Sequence, residues 1–266
     1  MGDGISETID AFHRGRFHII QPKGRGHRAG MDAMLLASLV ADDRTCRVAD
    51  LGAGAGAAGM AVAARLQKAD VTLYERSPEM VEFARRSLEL PENAAFSARV
   101  SVREADVTLR AKARIEAGLP DDYFHHVIMN PPYNDAGDRR TPDALKAEAH
   151  AMTEGLFEDW IRTAGAIMVS GGQLSLISRP QSVAAIIAAC GSRFGGLEIT
   201  LIHPRAREDA VRMLVTAIKG SRARLSFRAP LIMHESGSQA FTPFVDDLNN
   251  GRVAYSRNVR AIRPAP

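Results

Sequence analysis

The chain has 266 residues, 45% of them hydrophobic and 24% charged, with a net charge of +3. That is ordinary soluble composition, and enough length to bury a sizeable core in one large α/β domain without staples. Cys46 and Cys190 stand far apart and match no metal spacing, no apolar run reaches the roughly 18 residues of a membrane span, and the N-terminus MGDGISETID is too polar for a secretory signal. A disulfide framework, a zinc module and a membrane protein are therefore disfavoured, and a cytoplasmic protein without a metal is expected.

Residues 1–30 are basic and Gly-rich, with no clear period. From Met31, MDAMLLASLVA is apolar on most faces and predicts a buried helix, with Asp32 near its start where the helix dipole favours an acid. CRVADLG (46–52) predicts a short buried strand, and AGAAGMAVAARLQ (55–67) an Ala-rich helix. VTLYE (71–75) predicts a second strand. SPEMVEFARRSLEL (77–90) predicts a helix with Ser77 as N-cap and Pro78 in its first position. VSVREAD (100–106) and HVIMN (126–130) predict the third and fourth strands.

Residues 131–153 then form a long connection, the segment expected to be most mobile. FEDWIRTAGAIMVS (157–170) predicts a helix, QLSLIS (173–178) a strand, QSVAAIIAAC (181–190) a helix, and LEITLIH (197–203) and VRMLVTAIK (211–219) the last two strands. Only PRAREDA joins these two, too short for a parallel crossover, so they form an antiparallel hairpin. The order predicts an α/β fold: a Rossmann-like, doubly wound, mostly parallel seven-stranded sheet ending in an antiparallel hairpin. Residues 1–45 are expected to be an N-terminal basic segment and helix packing on the core, 46–220 the core, and 221–266 a C-terminal extension of the same domain.

ADLGAGAGAAG (49–59) lies between the first strand and its helix. Gly54, Gly56 and Gly59 spell G-x-G-x-x-G, and Glu75 ends the second strand, the spacing of a dinucleotide fingerprint. Asp50, two residues before Gly52, is awkward beside a pyrophosphate because like charges repel. It suits a ligand with an amino group, while Glu75 suits ribose hydroxyls and Asp106 an adenine amino group. In open α/β sheets ligands lie outside the carboxyl ends of the strands, where Asp50, Glu75, Asp106 and Asn130 all fall. S-adenosylmethionine has the amino group, the ribose and the adenine and lacks the phosphates. A dinucleotide, or a purely structural glycine turn, is the alternative.

D-x-G-x-G-x-G, acids ending strands two and three, and NPPY at 130–133 together resemble the class I S-adenosylmethionine-dependent methyltransferases of the N-P-P-[YF] branch, over roughly residues 20–220. That branch methylates planar, conjugated nitrogens: adenine N6, guanine N2 or a glutamine side-chain amide. The resemblance implies a target site of Asn130, Pro131, Pro132 and Tyr133. Asn130 and the Pro131 carbonyl would accept hydrogen bonds from the target NH₂, the prolines would fix that carbonyl, and Tyr133 would stack on the base. It implies a cofactor site of Asp50, Gly52, Gly54, Gly56, Glu75, Arg76, Asp106 and Val107.

R-A-G-M-D-A-x-L-L (28–36), NPPYND and AIKGSRARLSFRAPLIMHE (217–235) further resemble the bacterial tRNA1(Val) adenine-N6-methyltransferase family. That resemblance places Asp32 near the methionine end of the cofactor and implies tRNA as substrate. Arg25, Arg28, Arg139, Arg140, Arg205 and Arg207 are candidate contacts to RNA phosphates, with Lys23, His27, Arg222 and Arg224 in the same basic clusters. The alternatives are N5-methylation of a protein glutamine, whose enzymes resemble this chain only after a helical N-terminal domain, and N2-methylation of an RNA guanine, whose enzymes often carry a duplicated domain. A NAD-type dinucleotide-binding protein is a third. His125 and His126 match no metal or triad arrangement and read as structural.

Overall fold

The computed structural model describes residues 6–23, 29–41, 43–132 and 143–258, with 143–154 as backbone only. The elements in chain order are β1 (Glu7–Phe12), β2 (Phe17–Pro22), α1 (Met31–Ser38), β3 (Cys46–Leu51), α2 (Ala57–Arg65), β4 (Ala69–Glu75), α3 (Pro78–Leu88), β5 (Val100–Glu104), α4 (Ala111–Glu116), β6 (Phe124–Met129), α5 (Asp143–Ile167), β7 (Met168–Ser178), α6 (Val183–Cys190), β8 (Phe194–His203), β9 (Arg212–Lys219), β10 (Ser226–Phe227), β11 (Leu231–Ile232) and α7 (Pro243–Asn249).

Seven strands form the body of the sheet in the order β5-β4-β3-β6-β7-β9-β8, and the short β10 and β11 add to β8. All neighbours pair in parallel except β9, which runs antiparallel to both β7 and β8. The β8–β9 hairpin is as its short link requires. Central strands such as β3 read as near-continuous apolar runs because helices cover both faces. On one face α1, α2 and α3 bury Leu35, Leu36, Met60, Val62 and Phe83. On the other, α5 and α6 bury Phe157, Ile161, Ile167 and Ile186. The Ser77 hydroxyl accepts from the Met80 N–H and Pro78 opens α3, so the sequence signature of that helix start is realised.

Three expectations are corrected. Residues 7–22 are not patternless: β1 and β2 form an antiparallel hairpin, pairing Glu7 with Pro22 through Phe12 with Phe17. Its inner strand is held by buried polar groups, the Ser87 hydroxyl accepting from the Ile20 N–H at 2.9 Å and Asn93 bonding both ways with the His18 backbone. The helix expected from 157 begins at Asp143, so residues 143–153 of the expected long connection are helical, and residues 133–142 lie outside the described chain. That helix ends at Ile167, and Met168–Ser170, expected in it, open β7, because Met168 pairs with Phe124 at the foot of the sheet. No helix among the described residues is long and apolar enough to cross a membrane.

Candidate functional site

The carboxyl edge of the sheet opens into a cavity of about 570 Å³. Following the strand order across that edge, Asp106 comes after β5, Glu75 ends β4, Asp50 lies in β3, Asn130 follows β6, Arg179 follows β7 and Arg212 opens the antiparallel β9. All six line the cavity. Among the described residues the wall thus passes from three acids, through one neutral amide, to two guanidiniums, with Arg76 and Asp32 departing from this order, one on each side.

Asp50 is 2% exposed, and its Oδ2 accepts a 2.8 Å hydrogen bond from the Gly59 N–H near the start of α2. Burial pushes its carboxyl up to about 7; the Gly59 bond pulls it down and the nearby Glu75 charge adds to the rise. Glu75 accepts from the Gly54 N–H through one oxygen at 2.9 Å and from the Ser77 N–H through the other at 2.8 Å. Its carboxylate is therefore fixed across the glycine loop. Asp106 accepts from both the backbone N–H and the hydroxyl of Thr108, an Asx turn that holds the loop after β5.

The glycines have separate tasks. Gly54 has φ +56° with nothing within 4 Å of where a Cβ would stand, so its backbone faces the open cavity. Gly52 also lines the cavity, and a Cβ there would meet the Trp160 ring at 2.3 Å. Gly56, expected in the cofactor site, does not line the cavity; with φ +92° it turns the chain into α2, and a Cβ would meet Leu73 and Met60. Gly59 packs against β4 and β3, a Cβ lying 2.2 Å from Leu73 Cδ2.

Asn130, Pro131 and Pro132 line the same cavity, Pro131 buried and Pro132 exposed. Val107 is buried beside Asp106 in the lining. Asp32 sits at the start of α1, its Oδ2 accepting from the Arg212 Nε at 2.8 Å, and so joins two elements 180 residues apart. Tyr133, Arg25, Arg28, His27, Arg139 and Arg140 lie outside the described residues. Arg205 and Arg207 stand in the β8–β9 turn, on the carboxyl edge. Arg207 is exposed, while Arg205 pairs with Glu208 at 3.2 Å and donates to the Ser238 carbonyl. Arg222 and Arg224 follow β9 and so lie at the opposite edge, where the Gly196 N–H bonds the Ala223 carbonyl. His125 accepts from the Arg47 N–H, a structural bond.

Gln21, Trp160, Arg179 and Arg212 are lining residues that carry no motif. Gln21 arrives through the N-terminal hairpin, its Oε1 accepting from the Ala29 N–H and its Nε2 donating to Asp10. Trp160 arrives on α5, which is tied to the Asp106 loop: Thr163 donates to the Val107 carbonyl and Arg162 to that of Thr108. Among the described residues no cluster of His, Cys, Asp and Glu is arranged to hold a metal ion.

A family profile described as "Methyltransferase small domain" matches residues 29–198. A crystal structure described as a predicted O-methyltransferase from Agrobacterium tumefaciens is 81% identical, with a TM-score of 0.76 over 86% of this chain and 100% of that one. A tRNA1(Val) (adenine(37)-N6)-methyltransferase of Pedobacter heparinus is 26% identical over 77% of this chain and 83% of its own. A release factor glutamine methyltransferase of Deinococcus radiodurans is 32% identical over 53% of this chain, which spans 49% of that protein.

Proposed function

The chain belongs to the methyltransferase small-domain family, and on that premise we propose that it transfers a methyl group from S-adenosylmethionine to the exocyclic N6 amino group of an adenine in tRNA. S-adenosylmethionine is the methyl donor of class I methyltransferases sharing this fold, and when bound it supplies an electrophilic methyl on a sulfonium. The residues present fit it. Gly54 leaves open space against the cavity, which Asp50, Glu75 and Asp106 line, and the N–H groups of Gly54 and Gly59 are already taken by Glu75 and Asp50 rather than offered to a phosphate. In this reading Glu75 takes the ribose hydroxyls, Asp106, Val107 and Arg76 border the adenine and ribose, Asp50 faces the amino group, and Gly52 and Gly54 allow close backbone approach. Asp32 borders the methionine end.

The observation that carries the acceptor reading is that Asn130 and Pro131 meet the three acids in one cavity. An exocyclic amino nitrogen is a weak nucleophile because its lone pair is delocalised into the ring. The Asn130 side-chain oxygen and the Pro131 carbonyl would accept hydrogen bonds from that NH₂, orient it in line with the methyl group and stabilise positive charge developing on nitrogen. Two consecutive prolines restrict the backbone that presents both acceptors, so little reorganisation is needed during transfer. Tyr133 would stack on the base. The similarity to a tRNA adenine methyltransferase over most of both chains supports tRNA as the carrier. The similarity to a release factor methyltransferase favours a second reading, transfer to a glutamine amide, which presents the same planar NH₂.

The test incubates the protein with labelled S-adenosylmethionine and, in parallel, undermodified tRNA and a release factor. Mass spectrometry of nucleosides from the labelled tRNA is expected to show N6-methyladenosine. Label in the release factor alone, or in a ribose 2′-O-methyl group, overturns the reading.

A further inference from the structure

We propose that Gln21 is a positioning residue for the cofactor, holding the Ala29–Gly30 backbone against the amino-acid half of S-adenosylmethionine; this rests on the cofactor orientation given above. Gln21 is 1% exposed in β2 and lines the cavity together with Ala29, Gly30 and Asp32. A carboxamide accepts only through its oxygen and donates only through its nitrogen. Here Oε1 accepts from the Ala29 N–H at 2.7 Å and Nε2 donates to Asp10 Oδ2 at 2.8 Å, so both ends of the amide are committed and its orientation is fixed. Asp10 stands on β1, paired with Ile19, and is not among the residues lining the cavity. The anchor is thus behind the wall, while the backbone it steadies is in front. A Cβ built on Gly30 meets nothing within 4 Å, so that backbone faces open space. The α1 helix that follows packs on α2, β6 and β7. Ala29 and Gly30 therefore stand on the Asn130 side of the edge, away from Glu75 and Asp106, which take the nucleoside half. A side chain from another element, rather than a neighbouring turn, satisfies the Ala29 N–H, and the place of this wall depends on that one amide.

The test compares two ligands by calorimetry on the full chain: S-adenosylhomocysteine, and methylthioadenosine, which keeps the nucleoside and the sulfur and lacks the amino-acid half. Gln21→Met preserves the length of the side chain and removes both hydrogen bonds. Affinity for S-adenosylhomocysteine is expected to fall about tenfold, with methylthioadenosine held within about twofold. Asp10→Ala touches no ligand and takes away the anchor of the amide, and is expected to weaken S-adenosylhomocysteine alone, by about threefold. Asp10→Asn keeps an oxygen to accept from Gln21 and is expected to stay within about twofold of wild type for both ligands. A residue that served only the fold would move the two ligands together, or neither.

Unchanged S-adenosylhomocysteine affinity in Gln21→Met, with wild-type protein preferring S-adenosylhomocysteine to methylthioadenosine, overturns the role of Gln21 and leaves the cofactor orientation standing. An equal loss for both ligands assigns Gln21 to the nucleoside half or to the fold and also overturns it. Where Gln21→Met does not fold, Asp10→Ala decides by the same comparison, unchanged S-adenosylhomocysteine affinity counting against the proposal. Wild-type protein that binds methylthioadenosine as tightly as S-adenosylhomocysteine makes no use of the amino-acid half, which removes the orientation and the proposal together.

Discussion

Trp160 closes over Gly52: a methyl group at the glycine would stand 2.3 Å from the indole Cη2, and both residues line the cavity. Trp160 is the sole tryptophan of the sequence, so its fluorescence reports on this wall alone. Titration with S-adenosylhomocysteine is expected to change its intensity or emission maximum and to saturate with the calorimetric affinity. A spectrum that stays constant while calorimetry shows binding would place the ligand away from this wall. Gly52→Ala, strained further by φ +68°, is expected to shift the emission maximum without any ligand.

Two glycines of one loop separate binding from folding. At Gly54 an added Cβ enters open space at φ +56°, so Gly54→Ala is expected to cost about 1 kcal/mol of stability from backbone strain while weakening cofactor binding. At Gly59 the Cβ would meet Leu73 at 2.2 Å, with Asp50 and Val71 both at 3.1 Å. Alanine is the better helix former by about 1 kcal/mol, but a clash on three sides outweighs it, and a loss of about 1–3 kcal/mol is expected. Urea unfolding beside calorimetry with S-adenosylhomocysteine checks both.

Asp50 makes the ligand-free protein sensitive to pH. Its carboxyl, ordinarily near 3.8, is pushed up to about 7 by burial. Between these values the folded chain keeps a proton that the unfolded chain has released. Stability attributable to this group therefore falls as pH rises through that window, by about 1.4 kcal/mol per pH unit. Asp50→Asn is expected to remove this slope, as read by urea unfolding at about pH 5 and pH 7. A ligand bearing an ammonium group favours the ionised carboxylate. Cofactor affinity is thus expected to rise as pH increases through about 7, with proton release seen by calorimetry in buffers of different ionisation enthalpy.

Asn130→Ala is expected to lower kcat by about 10²–10³ while leaving S-adenosylhomocysteine affinity within about twofold, since the proposed bonds form to the acceptor and strengthen as charge develops. Equal loss of cofactor affinity would make Asn130 part of the cofactor wall or of the fold.

The long strands were legible because a buried parallel strand is a short apolar run ended by a polar or glycine residue, as in VADLG and HVIMN. The acids at their ends were legible for the same reason, since the strand end is where the run stops. The early start of α5 was present in DALKAEAHAM, rich in strong helix formers, and was obscured by its position after NPPY. The hairpin was obscured by β1, whose ETIDAF alternates between exposed and half-buried positions and carries two acids. FHIIQP in β2 was the clearer signal. Nothing local marks Arg212 as a partner of Asp32, because the antiparallel turn of β9 is what returns its first residue to the carboxyl edge. Nor does spacing distinguish Gly54, open to the cavity, from Gly56, which packs on Leu73.

The order of charges along the sheet edge has a counterpart in the chain. The carboxylates at 50, 75 and 106 come from one continuous half, and Asn130, Arg179 and Arg212 from the next. Under the proposed assignment, donor recognition and acceptor recognition are carried by successive blocks of the chain, stitched together where Trp160 lies over Gly52 and Thr163 holds the Val107 carbonyl. Exchange of residues 124–219 for those of a relative with another acceptor would therefore keep its grip on the methyl source only if those two contacts came with it.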